Sequence, residues 1–379
     1  MGVVELPLAL YVHWPWCVRK CPYCDFPSRV GNYAALESCY IDALLADLTH
    51  ASRGETRLVR SIFFGGGTPS LMSEAGFAHL MAGIRERVPL TSDVEVTLEA
   101  NPGTVTREKL EAFREAGVNR LSIGVQSFHD AELTRIGRIH NSEEAENAAT
   151  FASEIFKEVN LDLMYALPGE TLEVLREDVT KALSFPVTHL SFYELTIEEG
   201  SVFFKRPPEG LPDDDLASDM ADVVGELTAA AGFDHYEGSA YAKPGHRCRH
   251  NLTYWTYGDY YGIGAGAHAK LTAAGKIHRE ERSADPARYM KDVKDGIFSL
   301  ASHDVAVEDV PFEFMLNVLR LKEGVKEEHW IEATGLPLDV IAEKLKQLRE
   351  EGLLEDNGRI VATALGRRFL NEVEERFLA

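Results

Sequence analysis

Short β-rich runs and helix-like runs alternate six times in the first two-thirds of the chain, and this repeat restricts the fold more than any other feature. The β-rich runs are residues 8–13, 61–64, 94–98, 120–125, 159–164 and 189–193. The amphipathic runs between them are residues 34–48, 73–88, 106–116, 141–156 and 171–183. Successive β/α units predict a parallel sheet with crossover helices, either open or closed as a barrel. Both architectures place chemistry at the carboxyl ends of the strands.

The pattern changes near residue 200, and a second boundary is predicted near residue 300. Tyr and Gly are frequent in residues 236–268, which we expect to form short strands and loops on the first module. Further on, we predict helices at 311–321, 327–334 and 338–351, a hairpin at 353–360 and a final helix at 364–377. Helices followed by a small hairpin indicate a winged-helix-like module. We therefore expect one domain at 1–300 and another at 301–379.

The charge balance argues against nucleic acid as a partner. The 379 residues include 39 basic and 61 acidic side chains, a formal net charge of −22. Winged-helix modules often bind DNA, but clustered Lys and Arg are needed for phosphate contacts and none stand out here. No run approaches the roughly 20 apolar residues of a membrane helix, and the first ten residues do not read as an export signal. We expect a cytoplasmic protein.

Three of the five cysteines, Cys17, Cys21 and Cys24, lie within eight residues directly after the first predicted strand. Such clustering in a chain without an export signal indicates metal or redox chemistry rather than disulfides. A structural zinc site normally takes a fourth Cys or His at a paired spacing, and the sequence has no second pair. Three thiolates instead suit a [4Fe–4S] cluster with one iron open to another ligand. Zinc and a purely structural turn are the alternatives, and Cys39 and Cys248 are predicted to be buried thiols.

Residues 11–26, YVHWPWCVRKCPYCDF, resemble the signature of the radical S-adenosylmethionine (SAM) superfamily, and within it the coproporphyrinogen oxidase-like family. The resemblance implies an α/β fold, a partial (β/α)6 TIM-like barrel with a C-terminal helical module. It also implies that Cys17, Cys21 and Cys24 ligate a [4Fe–4S] cluster. In that family the amine and carboxylate of SAM bind the fourth iron, and the reduced cluster can cleave SAM to a 5′-deoxyadenosyl radical.

Further motifs of the family match in order at successive predicted strand ends, and the resemblance implies that they bind SAM. The implied SAM residues are Gly66, Gly67 and Thr68 in FFGGGTPS, Glu99 in EANPG, Gln126 in SIGVQSF, Arg138 in IGRIH, and Asp162 in DLMYALPG. Tyr11 and Tyr23 match positions that flank SAM. Any one of these polar residues alone is more simply a surface or strand-capping group, and it is their joint order that favours a site. Glycines allow backbone to approach a ligand closely.

Two departures from the oxidase pattern favour the heme chaperone branch of the same family. Oxygen-independent coproporphyrinogen III oxidases carry a fourth cysteine two residues after the third, where this chain has Phe26. They also carry an N-terminal extension, whereas only ten residues precede Tyr11. The segment HNLTYW at 250–255 resembles the HNxxYW motif of the chaperone branch, which implies His250 as a heme ligand. Imidazole is a common axial ligand of heme iron, although a packed strand explains such a segment equally well.

The resemblance therefore implies a heme chaperone that holds a [4Fe–4S] cluster and exchangeable SAM, binds heme and delivers it to an acceptor protein. The alternative is an oxygen-independent coproporphyrinogen III oxidase. A third possibility is a regulator with a vestigial barrel whose winged helix binds DNA, which the net charge of −7 over residues 301–379 disfavours. The sequence identifies no catalytic residue, heme acceptor, electron donor or oligomeric state.

Overall fold

Parallel strands form the centre of the molecule. The structure is a computed structural model that describes residues 6–273 and 275–379. Up to residue 200 the strands are β1 (Leu8–Trp14), β2 (Trp16–Cys17), β3 (Arg29–Val30), β4 (Val59–Gly66), β5 (Leu90–Ala100), β6 (Arg120–Gln126), β7 (Glu158–Tyr165) and β8 (His189–Glu194). The helices between them are α1 (Tyr33–Ala51), α2 (Glu74–Arg87), α3 (Arg107–Ala116), α4 (Asp130–Arg135), α5 (Ser142–Ile155) and α6 (Leu172–Ser184). The six predicted β/α units are confirmed.

The residues from 201 to 304 extend this sheet at both edges. The helices are α7 (Val202–Lys205), α8 (Asp214–Ala230), α9 (Arg249–Trp255) and α10 (Pro286–Lys294), and the strands are β9 (Asp234–His235), β10 (Ala240–Ala242), β11 (Asp259–Ile263), β12 (His268–Ala273), β13 (Lys276–Glu281) and β14 (Ala301–Asp304). The sheet order is β14-β13-β12-β11-β1-β4-β5-β6-β7-β8-β10-β9, parallel from β11 to β8 and antiparallel outside that range. Within the described residues the end strands β14 and β9 do not pair with each other, so the sheet is an open, partial barrel.

Helix α9 corrects the expectation that residues 236–268 contain only short strands and loops. The segment HNLTYW forms most of this helix. Its first backbone amides are satisfied by a distant side chain, because the Glu95 carboxylate accepts from the N–H groups of Arg249 and His250, each at 3.0 Å. Free amides at a helix start need such acceptors. A cap supplied from residue 95 is invisible to local sequence patterns.

The C-terminal residues form helices around their own apolar core. The elements are α11 (Val310–Val318), β15 (Val325–Lys326), α12 (Glu327–Thr334), α13 (Asp339–Glu350), β16 (Arg359–Ile360), α14 (Ala364–Arg368) and α15 (Leu370–Glu375). The predicted hairpin is confirmed in part, because an antiparallel bridge joins Leu354 to Ala362 and the Glu355 N–H donates to the Val361 carbonyl at 3.0 Å, whereas strand β16 pairs with β15. The predicted final helix is broken at Phe369. Strand β14 joins the main sheet, and the division at residue 300 stays a prediction.

The main core lies between the parallel strands and the helices that cover them. Leu36, Tyr40, Leu44 and Leu48 lie at fourfold spacing along α1, which predicts one buried face, and the last three are fully buried whereas Leu36 is exposed. Cys39 is exposed, so the prediction that it is a core thiol is wrong. Successive residues of a helix point about 100° apart, and the buried face of α1 is formed by Tyr40, Ile41, Leu44, Leu45 and Leu48, which leaves Cys39 outside it. Cys248 is buried, as expected. No helix in the described part of the chain is long and apolar enough to cross a membrane.

A buried ion pair ties α1 to the far edge of the sheet. Arg282 Nε contacts Asp47 Oδ1 at 3.1 Å, and both side chains are fully buried. The Tyr289 hydroxyl of α10 donates to Asp47 Oδ2 at 2.9 Å. These contacts hold α1 and α10 together beside β11.

Arg282→Met is expected to lower the free energy of unfolding by about 3–5 kcal/mol, because it leaves the buried Asp47 carboxylate without its cation. Urea unfolding measures this loss. The matched control is Arg288→Met, which removes an exposed pair with Asp292 and should cost less than about 0.5 kcal/mol. Equal unfolding midpoints for the two variants would contradict the assignment.

Candidate functional site

A cavity of about 360 Å³ opens at the carboxyl ends of the parallel strands. Most of the residues predicted to bind the cluster and SAM line it together. They are Cys17, Cys21, Tyr23, Cys24, Gly66, Gly67, Thr68, Glu99, Gln126, Arg138 and Asp162. The two predicted site residues that do not line it are Tyr11 and His250. Parallel strands bring their carboxyl ends to one edge, which explains why motifs far apart in sequence meet here.

The cysteine loop is held at both ends by backbone contacts. Strands β2 and β3 pair in parallel, which places Cys17 opposite Val30. Within the loop, the Cys24 N–H donates to the Cys21 carbonyl at 3.2 Å. On its outer side the Phe203 N–H donates to the Pro22 carbonyl at 2.9 Å. The loop that carries the three thiols is therefore fixed on several sides rather than a free surface segment.

The glycine segment packs directly on the backbone that enters this loop. The Gly67 N–H donates to the Trp14 carbonyl at 2.7 Å, and the Thr68 N–H donates to the Trp16 carbonyl at 2.8 Å. A Cβ atom on Gly67 would lie 2.6 Å from the Trp16 carbonyl oxygen. Gly66 has φ +108°, and a Cβ there would lie 2.5 Å from the His13 ring. A side chain at Gly66 or Gly67 would collide with protein groups of the segment that leads into the cysteine loop, so both positions require glycine.

Two acids line the cavity without a salt bridge among the described residues, and the buried Arg120 guanidinium lies near enough to Asp162 to offset part of the rise in its pKa. Glu99 Oε2 accepts from the Gly66 N–H at 3.2 Å, and burial together with the charge of Asp162 raises the pKa of Glu99 to about 8. Asp162 accepts from the Ser122 hydroxyl and from Asn160 Nδ2, each at 2.8 Å, and burial raises its pKa. Placing two carboxyl groups in one buried space favours a ligand that brings positive charge.

Arg138 gives another wall of the cavity the opposite charge. Its Nη2 donates to the Gly124 carbonyl at 2.7 Å, and Nη1 lies 3.4 Å from the Tyr23 hydroxyl and 3.6 Å from Cys21 Sγ. Its Nε is buried and has no hydrogen-bond partner. A buried donor of this kind normally has an acceptor. Acids on one wall and an arginine on another suit a ligand with both an amine and a carboxylate, as SAM has.

Gln126 lies at the end of β6 in a conformation that few residues other than glycine adopt. Its φ is +68°. Such backbone strain concentrates at functional sites, where it aims a side chain that a regular strand would direct elsewhere. Here the strained turn brings the carboxamide to the cavity wall beside Arg138 and Gly124.

The donor set fits an iron–sulfur cluster better than a single metal ion. Cys17, Cys21 and Cys24 are all free thiols that line one cavity, and burial raises the pKa of Cys17 and Cys24. A metal ion overcomes such a shift, because a coordinating thiol is deprotonated. Across residues 6–273 and 275–379, no three Cys, His, Asp or Glu side chains converge on one metal position. In a cluster each thiolate binds a different iron, so convergence on one point is not required.

His250 and Tyr11 lie in the interior of the sheet and do not line the cavity, although the Tyr11 ring lies beside Glu99, which does. His250 is 1% exposed, its Nδ1 bonds Ser61 Oγ at 3.1 Å, and its Nε2 bonds the Tyr254 hydroxyl at 2.8 Å. Its ring stacks on Phe63 with centroids 5.0 Å apart. Burial lowers the pKa of His250 to about 3, so the imidazole is neutral. Both of its nitrogens are already bonded to protein groups. The Tyr11 hydroxyl bonds His13 Nδ1 at 3.0 Å.

Other residues of the cavity wall are not among the predicted site residues. Ser122, Met164 and Tyr193 also line it. Ser122 could have been found, since it alternates with Gly124 and Gln126 along β6 and therefore shares their face of the strand. Tyr193, at the end of β8, carried no such signal.

Comparison with known proteins decides the family. The model of the radical SAM superfamily matches residues 11–182, and that of the HemN C-terminal domain matches residues 305–369. The heme chaperone HemW of Escherichia coli K12 is 45% identical over 377 residues, covering 98% of both chains. The heme chaperone HemW of Bacillus subtilis is 36% identical and covers 97% of this chain and 98% of its own. The chain belongs to the HemW family.

Membership of the HemW family, within the radical SAM superfamily, implies a [4Fe–4S] cluster and SAM. Among solved structures, the coproporphyrinogen III oxidase HemN of Escherichia coli superposes with a TM-score of 0.83 over 98% of this chain and 90% of its own. That protein is 23% identical to this chain, so the likeness establishes the fold alone. It is the fold expected from the sequence.

The pH dependence of stability tests the environment of Glu99. An unfolded chain releases the Glu99 proton near the ordinary pKa of 4.5, whereas the folded chain keeps it until about pH 8. The folded state therefore binds more protons between these values, and its stability falls as pH rises. Without SAM, Glu99→Gln is expected to gain stability relative to the wild type from pH 5 to pH 8 in urea unfolding.

The matched control is Glu55→Gln. Hydrogen bonds from Arg57 lower the pKa of Glu55, so its titration lies below this range and its difference from the wild type should stay constant from pH 6 to pH 8. A constant difference for Glu99→Gln as well would show that this carboxyl group has an ordinary pKa.

Proposed function

We propose that this chain is a heme chaperone: it binds heme, transfers it to an acceptor protein, and holds a [4Fe–4S] cluster with exchangeable SAM. The observation that carries the proposal is full-length similarity, at 36–45% identity, to proteins named heme chaperone HemW from several bacteria. We also propose that the protein works in the cytoplasm.

Different residues of the cavity are proposed to bind the cluster and SAM. Cys17, Cys21 and Cys24 hold the cluster, and the polar walls hold SAM. Arg138, whose buried Nε lacks a protein acceptor, pairs with a carboxylate beside the cysteines. Glu99 and Asp162 offer carboxylates to positively charged groups and hydroxyls. When bound, the cluster and SAM together supply one-electron chemistry at sulfur.

Phe26 supports the chaperone over the oxidase. It lines the mouth of the cavity, its side chain is 55% exposed, and its carbonyl accepts from Lys20 Nζ at 2.8 Å. The oxidase pattern has a cysteine at this position, and a phenyl ring can neither ligate iron nor relay a proton. The fold likeness to HemN does not favour the oxidase, since one fold hosts several functions.

His250 is the proposed heme ligand, and its surroundings set a condition on that role. The imidazole is neutral, as iron ligation requires, but it is 1% exposed and hydrogen-bonded at both nitrogens. Heme iron can reach Nε2 only after the bond to Tyr254 opens and the start of α9 moves. Ligation at this histidine therefore includes a conformational step.

Replacing Cys17, Cys21 and Cys24 together by alanine is expected to abolish cluster binding. Anaerobic reconstitution should give about four iron and four sulfide per chain in the wild type and neither in the variant. Cys39→Ala is the matched control, because this thiol is exposed on α1 away from the cavity, and it should keep the full cluster content. Retention of the cluster by the triple variant would refute the ligand assignment.

Hemin titration tests the chaperone proposal and the ligand. If His250 ligates heme, His250→Ala should lose the Soret change of the wild type. Tyr254→Phe, which frees Nε2, should bind hemin at least as fast. His79→Ala, at an exposed histidine of α2, is the control for adventitious binding and should match the wild type.

Two outcomes would count against these assignments. Unchanged hemin binding by His250→Ala would exclude this histidine as the ligand. Turnover of coproporphyrinogen III with release of 5′-deoxyadenosine, together with failure to pass hemin to any apo-acceptor, would overturn the chaperone function in favour of the oxidase.

A further inference from the structure

A continuous chain of hydrogen bonds crosses the interior of the sheet from the cavity to helix α9. Asn160 Nδ2 lies 2.8 Å from Asp162 Oδ1, and His189 Nδ1 lies 2.6 Å from Asn160 Oδ1. On the other side of the ring, His189 Nε2 lies 2.9 Å from the Tyr236 hydroxyl. The backbone N–H of Cys248, the residue before α9, donates to that hydroxyl at 3.3 Å. Every connecting side chain is at most 2% exposed.

The groups at the two ends fix the direction of every bond in this chain. A backbone N–H can only donate, so the Tyr236 oxygen accepts from Cys248 and its own proton is free for His189 Nε2. With a cationic ligand in the cavity Asp162 is ionised and can only accept, so the amide of Asn160 turns its nitrogen to Asp162 and its oxygen to His189. His189 then carries its proton on Nδ1. Burial lowers the pKa of His189 well below its usual range, which keeps the ring neutral as this arrangement requires.

All the donors therefore point the same way, from α9 towards Asp162. Hydrogen bonds arranged head to tail polarise one another, so a change at one end alters the strength of the next bond. A chain with donors facing both ways would not transmit such a change. The Ser191 hydroxyl also donates to Asn160 Oδ1, at 3.1 Å, which helps to hold the amide in this orientation.

Helix α9 connects the far end of this chain to the C-terminal module. The Thr256 carbonyl after α9 accepts from His329 Nε2 of α12 at 2.7 Å, and the Arg320 guanidinium lies over the Trp255 ring at 4.4 Å. The Tyr236 carbonyl accepts from the N–H of Lys322 at 3.0 Å. A displacement at the start of α9 would therefore disturb the contacts of both the HNxxYW segment and the C-terminal helices.

We propose that this chain of hydrogen bonds couples the SAM cavity to helix α9. A cationic ligand held at Asp162 strengthens the hydrogen bonds that hold the start of α9. His189 and Tyr236 are positioning residues that transmit the effect. The inference rests on the proposed function, because it takes SAM as the ligand of the cavity. It assigns to SAM a structural effect on the helix that carries His250.

The direction of the effect follows from the charge on Asp162. Burial disfavours ionisation of Asp162, the buried Arg120 guanidinium favours it, and Glu99 lies close enough for the two carboxyl groups to interact, so that the pKa of Asp162 stays raised without a ligand. A positive charge in the cavity favours the carboxylate form. Charge-assisted hydrogen bonds are roughly twice as strong as neutral ones, so the Asn160 bond and those behind it strengthen.

Hydrogen–deuterium exchange measured on the peptide covering residues 245–256 tests the coupling in the holoprotein. With SAM bound, exchange at the start of α9 is expected to slow by about fivefold, which is at the lower end of typical coupling between sites. S-adenosylhomocysteine carries the same ribose with a neutral sulfur and should slow exchange less. SAM binding is measured separately by equilibrium dialysis.

Tyr236→Phe breaks the hydrogen-bond chain next to its α9 end, because it removes the hydroxyl that both accepts from Cys248 and donates to His189. SAM should no longer protect α9 in this variant, and by reciprocity its affinity for SAM should fall about fivefold. Tyr241→Phe is the matched control, since this buried tyrosine lies five residues further on, outside the chain, and should behave as the wild type.

The outcomes separate this inference from the proposed function. If the wild type binds SAM but exchange at α9 is unchanged, or if Tyr236→Phe retains the protection, the coupling is wrong. If the wild type binds no SAM, the proposed function fails instead. Nitrogen-15 NMR of the labelled histidines needs no variant: a proton on Nε2 rather than Nδ1 of His189 would overturn the bond directions.

Discussion

The end of strand β1 is the junction on which the rest of the site depends. Its backbone carbonyl at Trp14 accepts from the glycine segment, and the next residues enter the cysteine loop. His13 fills the space that Gly66 leaves, and its Nε2 bonds the Pro27 carbonyl at the far end of that loop at 3.0 Å. The Tyr40 hydroxyl of α1 donates to the His13 carbonyl at 2.9 Å. Loop, glycine segment and first helix thus share one buried support, which keeps the three thiols beside the polar wall.

The cavity is polarised by groups that would be costly to bury without a ligand. Glu99 and Asp162 lie on one side, and Arg138 lies on the other beside Cys21. A site of this kind discriminates by charge as well as by shape, because a neutral ligand would leave the buried Nε of Arg138 without an acceptor and the two acids with raised pKa values. The strained backbone conformation of Gln126 is also typical of a ligand site, since such strain persists only where the surrounding structure enforces it.

Helix α9 changes how the HNxxYW segment is understood. In the sequence, the histidine and the two aromatic residues suggest a platform for a flat ligand. In the structure, His250 and Tyr254 bond each other within the interior, whereas Trp255 packs towards the C-terminal module beneath Arg320. The segment therefore joins two parts of the molecule, and any heme chemistry at His250 is linked to the packing between them.

The sequence by itself determined the six β/α units, the burial of Tyr40, Leu44 and Leu48 on α1 and the set of motifs at the strand ends. These follow from local periodicity, because each strand and helix carries its own apolar pattern, and parallel strands necessarily end at one edge. The exposure of Cys39, the pairing of β16 with β15 and the capping of α9 by Glu95 were decided only in the tertiary structure. So was the burial of His250 beneath Phe63. Each depends on contacts between residues far apart in sequence, and short-range patterns contain no information about which distant groups will meet.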